Sequence, residues 1–109
     1  MNIKTFRPMD DARLVRIFKA LGHPNRFRLF TEIWKEGGAS FEGGKLEAGH
    51  VCFLNDVMER LNIGAPTVSH HLKELVAAGL ISTDKQGKFV TCRVSSKALE
   101  DLRIFFARS

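Results

Sequence analysis

A chain of 109 residues with 44% hydrophobic and 27% charged side chains has material for one small domain, residues 1–109, and a modest core. A net charge of +5 favours a polyanionic partner, and two cysteines are too few for a secreted disulfide scaffold, so a reducing cytoplasm is expected. Without an apolar run of transmembrane length or a signal core in Met1-Asn-Ile-Lys-Thr, no membrane association is expected.

Leu14, Ile17, Phe18 and Leu21 recur at helical spacing and predict an apolar-striped helix over 9–22. A second helix starts near Pro24, with His23 at the cap position and proline in the first turn, where its missing amide hydrogen costs nothing. Phe27, Phe30, Ile33 and Trp34 are expected to form its buried face. Arg26 and Arg28 point elsewhere, so that one meets a phosphate or ties the helix to a neighbour. The segment Glu36 to Gly49 holds five glycines and reads as a flexible insertion. Ala39 to Lys45 has a superficial likeness to a phosphate loop. It lacks that loop's first glycine, its final hydroxyl residue and a preceding strand, so nucleotide binding is not expected.

A third helix carries Leu54, Val57, Met58 and Leu61 at helical spacing, with Cys52 expected at its start. Asn62-Ile63-Gly64 is a short turn into a fourth helix, which begins around Pro66 and ends at Gly79. Val68, Leu72, Leu75 and Val76 make its inner face, and Thr67, His70, Lys73, Glu74 and Ala77 the opposite one, with Ser69 and His71 at the margins. Short donors and acceptors at the positive end of a helix suit approach to base edges and phosphates. Beyond it, Val90, Cys92 and Val94 alternate with Phe89, Thr91 and Arg93, the period of a strand with one apolar face. Lys85-Gln-Gly-Lys88 places two ammonium groups at the hairpin tip, where they suit a phosphate backbone. A last helix over 95–108, capped by Ser95 or Ser96, carries Ala98, Leu99, Leu102, Phe105 and Phe106.

The order of parts is that of a winged helix-turn-helix: mainly α with a small β-hairpin. A domain this small is hard pressed to cover both terminal stripes, so the helices over 9–22 and 95–108 are expected to dimerise. The alternative is that both stripes pack internally. Neighbouring Ser69, His70 and His71 diverge around the helix and lack a buried acid, which argues against nucleophilic catalysis. The remaining competitor to DNA binding is a winged-helix protein-interaction module using the apolar tail or the glycine-rich loop.

Three segments carry a family resemblance: Lys19-Ala-Leu-Gly-His-Pro-Asn-Arg-Phe-Arg-Leu29, Pro66 through Ile81, and the Gly87-Lys88 hairpin. In this order and spacing, from about Asp10 to Phe106, the chain resembles the ArsR/SmtB repressors. The resemblance implies a homodimer whose fourth helix reads the major groove of a palindromic double-stranded operator, with release by an effector, often a metal or metalloid ion. The DNA-contacting set is then Thr67, Ser69, His70, His71, Lys73, Lys85, Lys88 and Arg26.

The family's sensor sites do not carry over. Aligning Asp56-Val57 with the acidic–apolar pair of its Cys-x-Cys motif puts Phe53 and Asn55 where the cysteines stand, and neither binds a soft ion as thiolates do. The last helix offers Glu100 and Asp101 but no histidine. No cofactor or metal set follows with certainty. Cys52 and Cys92 keep a metalloid or thiol-reactive effector open, provided that their Cα atoms lie within about 7 Å. His50 with Cys52 is a second candidate pair, and two inert structural thiols are the plain alternative.

Overall fold

The computed structural model describes residues 8–37, 40–42, 45–47 and 52–107. Five helices and two small antiparallel sheets are formed among them: α1 (Pro8–Leu21), α2 (Pro24–Gly37), β1 (Ser40–Glu42), β2 (Lys45–Glu47), β3 (Cys52–Phe53), α3 (Leu54–Leu61), α4 (Ala65–Ala77), β4 (Ile81–Gln86), β5 (Phe89–Val94) and α5 (Ser96–Ala107). The expected hairpin is therefore two strands of a three-stranded sheet ordered β3-β5-β4. The segment expected as a plain flexible loop contains the separate β1–β2 pair, with Phe41 opposite Leu46. The remainder of that segment, His50 included, lies outside the described residues.

Helix α2 is the hub, packed against α1, α3, α4, β3 and β5. Its first turn is closed by His23, whose Nδ1 accepts the Asn25 amide at 3.2 Å, as the sequence suggested. Leu29, Phe30 and Ile33 point into the core, with Trp34 half-buried against Phe30. Phe27 does not join them: it stands 50% exposed, and Leu29 takes the core position.

The core continues through Leu14, Ile17 and Ala20 of α1, Val57 and Leu61 of α3, Val68 and Leu75 of α4, and Leu80, Ile81, Cys92, Ala98 and Leu99. Burial of each large side chain among these contributes roughly 1.5–3 kcal/mol. Val76, expected inside, is exposed, because α4 presents only Val68, Leu72 and Leu75 squarely to the core. At the C-terminus of α2, Arg60 of α3 bonds Glu32 (3.3 Å) and Glu36 (3.1 Å), fixing α3 against the hub.

The terminal stripes meet within one chain. Phe18 of α1 makes edge contacts with Phe105 and Phe106 of α5, at centroid distances of 5.7 and 6.3 Å, and Arg13 pairs with Asp101. The cap of α5 is Ser95, whose Oγ accepts the Ala98 amide at 3.2 Å. This packing leaves Val15, Phe18, Ile104 and Phe106 on the surface, the last 63% exposed.

Candidate nucleic-acid interface

Helix α3 ends at Asn62 in the left-handed conformation (φ 53°), and Gly64 is the N-cap of α4. Gly64 offers no side chain to close the first turn of α4, and its carbonyl accepts only the Val68 amide at 3.1 Å. Pro66 has no amide hydrogen to leave unmatched. The positive end of α4 is thus open to an incoming anion.

The far end is closed with equal definition. Leu80 N–H bonds Leu75 C=O and Gly79 N–H bonds Val76 C=O, both at 3.0 Å, with Gly79 at φ +78°. This paired arrangement satisfies the last carbonyls and redirects the chain into β4. Between the two ends Val68 and Leu75 anchor α4, and Thr67, Ser69, His70, Lys73 and Glu74 stay exposed on its outer side.

Two residues of the expected DNA-contacting set face elsewhere. His71 is 5% exposed and lies under the cap of α2, its ring 4.5 Å from that of His23. Its side chain is not offered to the groove, because one position along the helix turns it onto α2. Its Nδ1 is buried without a hydrogen-bond partner, and burial, reinforced by His23, Arg26 and His70, pulls its pKa below the ordinary value. Arg26 takes the second of its two expected roles. It is half-buried, and its Nη1 donates to the Ala20 carbonyl at 3.4 Å, tying α2 to α1.

The wing is the expected hairpin with a shorter turn, since Lys85 and Gln86 belong to β4 and pair with Val90 and Phe89. Strands β4 and β5 pair from Ile81–Val94 to Gln86–Phe89 and close through Gly87 (φ +61°) and Lys88. Glycine adopts that φ at no steric cost, which suits a two-residue turn here. Lys85 and Lys88 are exposed, and Lys88 Nζ lies 5.7 Å from the centre of the Phe89 ring. Arg93, a cation that sequence reasoning did not single out, is also exposed on β5, in the wall of an open cleft with Phe53, Asp84 and Phe89. The strand period had placed Arg93 outward, which was the available signal.

Cys52 is not at the start of α3. It lies in β3, and Phe53 takes the N-cap position of α3, because the free edge of β5 captures the two residues ahead of the helix. That pairing sets Cys52 directly opposite Cys92, so the two thiols that the sequence left unrelated are brought together. Among the described residues no group of three or more His, Cys, Asp or Glu side chains gathers as a metal site, and no helix is long and apolar enough to cross a membrane.

An exposed helix of small polar residues, supported by a preceding helix and flanked by a lysine-bearing hairpin, defines a winged-helix DNA-binding regulator. A sequence model described as bacterial regulatory protein, arsR family, matches residues 46–83. The transcriptional repressor SdpR of Bacillus subtilis (strain 168) is 31% identical over 85 residues, 78% of this chain and 79% of SdpR. The chain belongs to the ArsR family of transcriptional regulators. Solved structures share the fold at lower identity. HlyU from Vibrio cholerae has a TM-score of 0.67 and 19% identity over 94% of this chain and 96% of its own. BigR from Xylella fastidiosa has a TM-score of 0.66 and 18% identity over 98% and 92%.

Proposed function

We propose that the protein is a homodimeric repressor of the bacterial cytoplasm. Each protomer lays α4 in a major groove of a palindromic operator, and an effector releases the DNA. Thr67, Ser69 and His70 meet base edges, Lys73 supports them, and Lys85 and Lys88 hold flanking phosphates. The observation that carries this reading is the exposed row on α4 beside an uncapped helix N-terminus, with the two wing lysines following it. SdpR, which shares nearly a third of the aligned residues, bears the name of a transcriptional repressor.

Dimerisation rests on Val15, Phe18, Ile104 and Phe106, the apolar residues that the α1–α5 contact leaves on the surface. A two-fold axis through such a face sets two α4 helices about one DNA turn apart. Helices α1 and α5 are then the dimerisation elements of a single DNA-binding domain.

The test is fluorescence anisotropy with a duplex selected from a randomised pool and with a random duplex, each at two salt concentrations, beside sedimentation of the free protein. Tight, salt-sensitive binding that favours the selected duplex, by a dimer, is expected. Binding indifferent to salt and sequence would sink the operator reading, and a monomer throughout would remove the dimer.

A further inference from the structure

Cys52 and Cys92 are the two cysteines of the chain, and the β3–β5 register makes them direct cross-strand partners. Directly opposed residues of an antiparallel pair hold their Cα atoms about 4.5–5.5 Å apart, inside the span of about 4.4–6.8 Å that a disulfide bridges. Both side chains lie on the inner face of the sheet, 5% and 0% exposed. The Cys92 thiol donates a hydrogen bond to the Cys52 sulfur.

The pair is chemically unequal. The bond from Cys92 holds the Cys52 thiol below its ordinary pKa against burial and the nearby Glu36, with Arg60 assisting. The same contact and burial push the Cys92 thiol far up. Cys52, which also keeps the greater exposure, is the nucleophile, and Cys92, with none, keeps its proton. Cys52 is the less enclosed of the two at 5% against 0% exposed, and is the sulfur that a small reagent meets first.

We propose that Cys52 and Cys92 form a dithiol that a hydroperoxide closes to an intrachain disulfide, and that closure weakens DNA binding. The second half rests on the operator reading above. In the first step the Cys52 thiolate attacks one peroxide oxygen. The O–O bond breaks, Cys52 becomes a sulfenic acid, and the departing alkoxide takes up the proton given up by Cys52 to become an alcohol. The Cys92 sulfur then attacks the Cys52 sulfur, the S–O bond breaks, and hydroxide leaves with the Cys92 proton as water. Two thiols are oxidised and one hydroperoxide is reduced.

The position of the bond supplies the consequence. Strand β3 runs straight into α3, the helix that supports α4, and β5 is the return strand of the wing. A disulfide draws its Cβ atoms to about 3.8 Å, where opposed strand residues hold them at about 4.5–5.5 Å. Closure pulls the entry of α3 toward the wing strand, and so changes the setting of the wing lysines relative to α4.

The test treats full-length protein with hydrogen peroxide and follows two readouts. The first is intact mass with thiol alkylation under denaturing, non-reducing conditions. The second is anisotropy on a duplex selected by the reduced protein. The expected result is loss of two hydrogens, no alkylatable thiol, migration as a single chain, and affinity down about tenfold, restored by dithiothreitol. Two variants, checked by circular dichroism, should bind the duplex: Cys52→Ser should ignore peroxide, and Cys92→Ser, which keeps the nucleophile, should stop at the sulfenic acid, a gain of one oxygen without a disulfide. Should either fail to fold, the wild-type mass and affinity still decide.

Two alkylatable thiols after treatment, or a covalent dimer, would overturn the intrachain disulfide. An oxidised chain with unchanged affinity would overturn the regulation. Reduced protein without salt-sensitive DNA binding would overturn the operator reading instead, leaving the thiol chemistry to be judged on mass alone.

Discussion

Substituting His71 tests how α4 is seated on α2. The imidazole is 5% exposed, its Nδ1 has no partner, and burial together with His23, Arg26 and His70 lowers its pKa from 6.5. A base with a depressed folded pKa binds fewer protons folded than unfolded, so stability falls with pH below about 6.5 and levels off beneath the folded value. A drop from pH 7 to pH 5 therefore destabilises the folded protein through this one group, by at most about 2.7 kcal/mol, the limit for one proton over two pH units. His71→Leu removes the titrating group. Thermal melts of both proteins at equal concentration and at both pH values should show the variant losing less stability on acidification, by up to that amount. Equal losses would mean that His71 takes up its proton freely in the folded state, and would refute its burial against α2.

Other outcomes follow from the same geometry. Leu75→Ala, at a side chain with no exposure, should cost about 2–5 kcal/mol in urea unfolding by opening a cavity between α4 and the hub. Gly79→Ala should cost roughly 1–2 kcal/mol from backbone strain at φ +78°, since nothing lies within 4 Å of an added Cβ. Changing Lys85 and Lys88 together to Ala should weaken binding to selected and random duplexes alike and flatten the salt slope by about 3.6, for two lysines on each protomer of the dimer. Ser69→Ala or His70→Ala should instead cost about 1–3 kcal/mol on the selected duplex and little on a random one.

Where one rule governed a residue, the sequence was a sound guide. The proline and glycine punctuation of α4, the serine cap of α5 and the glycine in the turn of the wing follow from local chemistry, and each stands where it was expected. Errors arose where tertiary packing chose between local options. The helical period puts Phe27 and Val76 on inner faces, yet the hub admits Leu29 in place of Phe27 and leaves Val76 outside. His71 lay at the boundary of two faces, and its burial depended on where α2 begins. Periodicity carries no information about a neighbour of that kind.

The thiol pair shows the same limit in its sharpest form. Cys52 and Cys92 are separated by the whole helix-turn-helix and the first wing strand, so no local pattern relates them. What relates them is an edge. β5 pairs with β4 on one side and has free hydrogen-bonding groups on the other, and two residues ahead of α3 occupy that edge. Register then determines the rest, because shifting β3 by one residue would place Phe53 opposite Cys92 and turn Cys52 to the outer face. A strand of two residues thus does what neither family motif does in this chain: it sets two sulfur atoms side by side at the joint between the DNA-reading helices and the wing.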